Sequence, residues 1–261
     1  MRSLSIAATG MLAQQLNVEV ISNNIANMNT TGFKRRRAEF TDLLYQDLRR
    51  VGSTSSDAGT IVPAGVQIGI GVKPAAVYRI TEQGNMLITD NPLDMAIQGR
   101  GYFEVELPSG DIGYTRSGAL QRSADGTIVT ADGYVVMPGV TVPDDATSVT
   151  VNATGEVLVH IAGTVAPQNI GQFELAVFAN EGGLQAIGDN LLLETAASGP
   201  AIVATPGSAG FGTLQQGFLE TSNVNVVSEI TNLITAQRAY EMNSKVIQAS
   251  DDMMGSLTQM R

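Results

Sequence analysis

Apolar residues near the start of the chain recur at alternating intervals of three and four: Leu4, Ala7, Met11, Gln14, Val18, Ile21, Ile25 and Met28. Only Gln14 is polar, so the stretch predicts a helix over residues 1–32 with one narrow apolar face. A matching seam runs near the other end through Ala236, Tyr240, Asn243, Ile247, Ser250, Met254 and Leu257, flanked by Ala239, Met242, Val246, Ala249 and Met253. This second helix, over residues 225–261, is expected to start at Asn225, a capping side chain, with Glu229 placing a carboxylate in its first turn. The first helix is expected to stop at Gly32 in the left-handed position after a helix end, with Phe33 folding back near Met28.

Between the helices the period falls to two. Phe103, Val105 and Leu107 alternate with Tyr102, Glu104 and Glu106, and similar runs include Val149 and Val151, then Val157, Val159 and Ile161, then Phe173, Leu175 and Val177. Gly-containing turn signals separate these runs, which predicts a meandering antiparallel β domain over residues 73–205. Residues 33–72 read as an extended connecting arm and residues 206–224 as the returning connector. The expected class is α+β: terminal helices packed together in a coiled-coil-like layer, an extended connector, and a central antiparallel all-β domain.

The end of the first helix is rich in asparagine, a poor helix former: Asn23, Asn24, Asn27 and Asn29. In a packed array of helices such side chains can bond to neighbouring chains and set register at some expense in intrinsic stability.

Charge sharpens this organisation. Residues 1–79 carry 9 basic and 5 acidic side chains, residues 80–220 carry 3 and 16, and residues 221–261 carry 3 and 4. A net charge of −10 argues against nucleic-acid binding and against a basic membrane-surface protein. With no cysteine, disulfides and thiolate metal sites are excluded. No stretch has the ~20 apolar residues of a membrane span, and the first residues do not follow the signal-peptide pattern. A soluble chain without a cleaved signal is expected.

Candidate chemistry is sparse. The single histidine, His160, sits in a strand pattern and reads as an exposed strand residue. Glu104 and Glu106 share a strand face that reads as solvated rather than as a catalytic carboxylate pair. Gly69 and Gly71, like Gly99 and Gly101, lack the third glycine and following helix of a dinucleotide site and read as turns or bulges. Lys34, Arg35, Arg36 and Arg37 read as a solvated or interface charge cluster. No catalytic residue, cofactor or metal site is expected. Two helices with apolar faces left to cover point instead to an ordinary intramolecular or dimeric coiled coil, or to head-to-tail contacts between copies that build a helical filament unless the rotation closes.

Specific segments carry a resemblance. Ser22, Asn23, Asn24, Ile25, Ala26 and Asn27, followed by Thr31, Gly32, Phe33 and Lys34, resemble the N-terminal signature of the bacterial flagellar rod and hook axial proteins. Residues 217–245, "GFLETSNVNVVSEITNLITAQRAYEMNSK", are similar to that family's C-terminal segment, with Glu220, Ser222, Asn223, Val224, Gln237, Arg238, Ala239 and Tyr240 at matching places. Ile97, Gly99, Gly101 and Phe103, with Tyr114, Thr115, Arg116 and Gly118, resemble the opening of its β domain. "FTDLLYQDLRR" and "GVQIGIGVKP" resemble the distal rod branch.

The resemblance implies a structural subunit of the flagellar drive shaft. It would polymerise helically into a rigid hollow tube that transmits torque from motor to hook and encloses the export channel. Implied partners are further copies of the chain, proximal rod proteins and the hook protein at the tube's ends, periplasmic and outer-membrane rings around it, and the type III export apparatus. Nucleic acid and direct membrane insertion are not implied. The implied location is the basal body, from the periplasmic space to the outer membrane. The assembly interface would use Leu4, Met11, Val18, Ile21, Asn23, Asn24, Ile25, Asn27, Gly32, Phe33, Asn223, Gln237, Tyr240, Asn243, Ile247 and Met254. Residues 49–63, with Arg49, Arg50 and Pro63, correspond to an inserted stretch implied to stiffen the connector. The alternatives are another axial subunit, proximal rod or hook, and a periplasmic cell-wall hydrolase with coiled-coil ends.

Overall fold

The computed structural model describes residues 2–50, 64–164 and 166–259, the last three as backbone. They group into two compact units: residues 1–25, 36–78 and 225–261 in the first, and residues 26–35 and 79–224 in the second.

The first unit contains both long helices, α1 (Arg2–Ala26) and α2 (Val226–Gln259). Asn225 caps α2 as its sequence suggests, its side-chain oxygen accepting from the Ser228 N–H at 3.1 Å. Three meeting points show that the helices run antiparallel in step. Ser250 bonds to Ser3 at 3.3 Å, Asn243 lies against Gly10, and Glu229 accepts from Asn24 at 3.1 Å. Each advance along α1 is matched by an equal retreat along α2. The residues of α1 that become buried are Ala7, Ala13, Val20, Ile21 and Asn24; on α2 they include Glu229, Ala236 and Ser250.

The connecting arm is a two-stranded antiparallel ribbon. Strand β1 (Arg36–Asp42) continues into β2 (Tyr45–Arg49), and the chain returns as β3 (Val66–Gly69) and β4 (Val72–Arg79). Tyr45 faces Gly69 and Asp47 faces Gln67, while Leu43 N–H to Gly71 O at 2.8 Å carries the ladder toward the β1 and β4 pair. The ribbon meets α1 at Thr9, whose hydroxyl accepts from the Val72 N–H at 3.4 Å.

The second unit pairs its strands antiparallel among the described residues and adds one short 3-10 helix, Glu181–Gly183. Chain order gives β5 (Met86–Ile88), β6 (Met95–Gln98), β7 (Tyr102–Glu106) and β8 (Ile112–Thr115). Strand β7 is the hub: it pairs with β8 on one side and with Val135–Val136 and Leu175–Val177 on the other. A three-stranded meander, Ala146–Val151, Glu156–Ile161 and Gln168–Gln172, adds Val151, Val157 and Val159 to the core around Phe103, Val105 and Phe173. His160 is exposed on the middle strand. Two late strands close the unit, Thr213–Gln216 on β6 and Phe218–Glu220 on β5.

Three expectations need correction. Helix α1 ends at Ala26 rather than near Gly32, because Asn27 and Thr30 form a turn: the Thr30 N–H donates to the Asn27 carbonyl at 3.2 Å and its hydroxyl to the Asn27 side chain at 3.1 Å. Gly32 does take a left-handed φ of 69°, but its N–H donates to the Glu220 carbonyl at 2.8 Å instead of turning back to the helix. The face of β7 that carries Glu104 and Glu106 is solvated at Glu106 but not at Glu104. Tyr102, Tyr114, Ala176, Phe178, Leu184 and Leu192 build a second apolar cluster there, and Glu104 is buried. Burial, with Glu174 nearby, raises its carboxyl above the ordinary value.

Candidate functional site

Charged residues are seldom fully buried, so the most informative place in the second unit is the one where three of them meet. Glu220, at the end of the last strand, is 1% exposed. One carboxylate oxygen accepts from Lys34 Nζ at 2.5 Å and from the Gly84 N–H at 2.9 Å; the other accepts from Arg116 Nε at 2.6 Å. Arg116 spends its remaining donors on backbone carbonyls, those of Gly101 and Gly99 at 2.6 Å and Ile97 at 3.0 Å. Gly99 and Gly101 thus offer carbonyls to a guanidinium. Lys34 also donates to the Glu82 carbonyl at 2.8 Å. Lys34 is therefore a buried ion-pair member rather than part of a solvated cluster.

Two cations share one carboxylate, and that explains both proton affinities. Burial pushes the Glu220 carboxyl up, but Arg116 and Lys34 outweigh it and hold the group below its ordinary value. Burial pulls the Lys34 ammonium down; Glu220 opposes this, and Arg116 adds to it, leaving a net lowering.

Glycines make room for this junction. A Cβ on Gly32 would lie 2.9 Å from the Arg116 backbone carbon, so the turn approaches the end of β8 only without a side chain. Asn223 ties neighbouring strands of chain together: its side-chain oxygen accepts from the Arg35 N–H at 2.7 Å, and its amide donates to the carbonyls of Ile80 at 3.0 Å and Glu82 at 2.9 Å. The Asn223 N–H also reaches the Phe33 carbonyl at 3.4 Å.

In the first unit Asn24 acts as a peptide mimic. Its amide donates to the Arg36 carbonyl at 2.8 Å while its oxygen accepts from the Arg36 N–H at 2.8 Å, and a second donation reaches Glu229. The side chain is satisfied within its own chain. Asn23 and Asn29 are exposed, and Asn27 is half-buried in the turn.

The remaining candidates separate by exposure. Ile21 is buried, while Leu4, Met11, Val18, Ile25, Gly32, Phe33, Asn223, Asn243, Ile247 and Met254 are partly buried. Gln237 and Tyr240 are exposed. Beside the seam lies an uncovered apolar stripe on α2: Val227 is 75% exposed and Met242 63%, with Ile230, Ile234, Val246 and Met253 continuing it. Leu12 on α1 is 66% exposed, and the ribbon leaves Leu44, Leu48, Val66 and Ile70 exposed. Arg49 is exposed at the end of β2; Pro63 and residues 51–62 lie outside the described residues.

Arg116, Glu220 and Lys34 stood in the resembling segments, but nothing local marked them as one cluster. The available signal was a charged residue embedded in each of three separate motif segments. Those segments also match known families. Residues 4–34 match the family described as flagella basal body rod protein, residues 96–159 the flagellar hook protein FlgE/F/G D1 domain, and residues 215–260 the flagellar basal body rod FlgEFG protein C-terminal family. The chain is 62% identical, over 261 residues and 100% of both chains, to the flagellar basal-body rod protein FlgG of Caulobacter vibrioides.

The chain belongs to the flagellar basal-body rod protein family. This rod protein is also 53% identical to the FlgG of Agrobacterium fabrum over 97% of each chain, and 39% identical to that of Bacillus subtilis over 100% of this chain and 99% of the other. It is a structural subunit of the flagellar distal rod. Each matched segment of the rod protein delivers one charge to the buried junction: Lys34, Arg116 and Glu220. Among the described residues no helix is long and apolar enough to cross a membrane.

Proposed function

We propose that this rod protein polymerises helically into a rigid hollow tube that transmits torque toward the hook and encloses an export channel. The helices α1 and α2 form its coiled-coil-like inner layer. The observation that carries this reading is the set of exposed apolar side chains between Val227 and Met253, interrupted by Arg238, that the chain itself leaves open. Water contact along these side chains is unfavourable, and neighbouring copies remove it.

The interface in this reading uses the seam residues Leu4, Met11, Val18, Ile21, Ile25, Gln237, Tyr240, Asn243, Ile247 and Met254 together with the stripe. Asn23 and Asn27 add register, and Gly32, Phe33 and Asn223 fix where the helical segments enter. Asn24 contributes indirectly, by pinning α1 to its own chain. Arg49, Arg50 and Pro63 belong to the arm that stiffens the rod. Partners are proximal rod proteins and hook protein at the ends, flagellar rings around the shaft, and the type III export apparatus that delivers the subunit. No catalytic step is assigned to the chain.

Electron microscopy of the overexpressed protein tests the reading. Straight tubes with a central channel are expected; persistent monomers whose helices are already ordered would overturn it. Asn23→Ala and Asn27→Ala are expected to impair tube formation more than they impair the fold of the second unit.

A further inference from the structure

We propose that Glu220 is a closing residue: its arrival locks the N-terminal turn, residues 26–35, onto the rest of the second unit, so that the turn is ordered only once the last β-strand is in place.

Without Glu220, two buried cations lose their carboxylate. Lys34 and Arg116 are both buried, and Glu220 is the carboxylate paired with each of them. Arg116 cannot withdraw easily, because the carbonyls of Ile97, Gly99 and Gly101 hold its guanidinium. Lys34 has a flexible stem and one further bond, to the Glu82 carbonyl, so it is the cation that escapes to water. When it leaves, the turn leaves with it.

The backbone points the same way. Gly32 N–H donates to the Glu220 carbonyl, Arg35 N–H donates to the Asn223 side chain, and Phe33 O accepts from the Asn223 N–H. These contacts reach residues that follow the strand Phe218–Glu220 or belong to it, which pairs with β5. The N-terminal turn therefore leans on residues 220–223, with further contacts from the Ile80 N–H to the Arg35 carbonyl at 2.9 Å and from Lys34 to the Glu82 carbonyl. This closing does not rest on the proposed polymerisation.

Hydrogen exchange read by mass spectrometry on the full-length chain tests it. In Glu220→Gln, peptides covering residues 26–35 and 79–85 are expected to lose protection at least tenfold, with β7 unchanged. Removing the stranded cation as well, in Lys34→Met with Glu220→Gln, is expected to restore a large part of that protection. Unchanged protection of residues 26–35 in Glu220→Gln would overturn the proposal, as would an equal loss in β7 or no recovery in the double variant. Should Glu220→Gln fail to fold, Lys34→Met alone decides, since Glu220 keeps Arg116 and Gly84: selective loosening of residues 26–35 supports the lock, and unchanged protection refutes it. A chain that closes as expected yet builds no tube would overturn the polymerisation reading alone.

Discussion

Asn24 and Glu229, 205 positions apart in the chain, share a buried hydrogen bond of 3.1 Å that joins the end of α1 to the first turn of α2. Asn24→Ala strands the Glu229 carboxylate and both backbone groups of Arg36, and unsatisfied buried polar groups cost ~1–3 kcal/mol. Chemical denaturation of the isolated chain should show a loss in that range. Asn24→Asp, close in shape, should lose more because it sets a second carboxylate against Glu229. Asn29→Ala, at an exposed position, should stay within ~0.5 kcal/mol of the parent.

Gly32 and Gly110 both have left-handed φ, 69° and 86°, yet differ in what surrounds them. An alanine side chain at Gly110 meets nothing within 4 Å, whereas at Gly32 it meets the Arg116 backbone. Both alanine variants carry the backbone penalty of ~1 kcal/mol, and only Gly32→Ala adds a collision with a pinned strand end. Thermal unfolding of the two variants side by side should show the larger drop for Gly32→Ala. Equal drops would mean that the turn yields without effort.

Acid should loosen the junction. Arg116 and Lys34 hold the Glu220 carboxyl below its ordinary value of 4.5 against the effect of burial, and Glu181 also lies within electrostatic reach of Lys34. A carboxyl with a depressed folded value contributes stability above the unfolded value and loses it as pH falls through the folded one. Melting temperatures taken from pH 7 down to pH 3 should therefore converge for the parent chain and Glu220→Gln, with the parent well ahead at pH 7. Breaking a buried pair costs ~3–5 kcal/mol, so the gap at neutral pH should be easy to resolve. Lys34 acts in the opposite range: its lowered value makes its contribution rise with pH on the way to 10.5.

How much of this was legible beforehand depends on the range of the interaction. The period of three and four in Leu4, Ala7, Met11 and Ile21 marks α1, and the alternation of Phe103 and Val105 marks a strand, because both patterns are local consequences of burying one face. The capping of α2 by Asn225 is equally local. Tyr102 and Glu104 misled because a second layer, Phe178 and Tyr114, covers the face that alternation assigns to water. The helix stops before Gly32 because Asn27 and Thr30 form a turn first, and Gly32 answers instead to Glu220 and Arg116, far away in sequence. Nothing in residue spacing reveals that Lys34, Arg116 and Glu220 meet; only the folded chain brings them within bonding distance.

The stripe on α2 offers a separation of folding from assembly. Val246 and Met242 are exposed, so replacing either with lysine removes no internal contact of consequence, and surface changes of this kind usually move stability by no more than ~0.5 kcal/mol. Between copies the same substitution places a charge in an apolar contact, where burial without a partner is strongly unfavourable. Val246→Lys and Met242→Lys should therefore melt like the parent while failing to form tubes in electron micrographs and failing to support motility. Ala236→Lys is the contrasting variant, since Ala236 is buried within the subunit and its replacement should lower the melting temperature directly. Normal tubes from Val246→Lys and Met242→Lys would mean that the stripe faces water in the rod and that assembly runs through the seam alone.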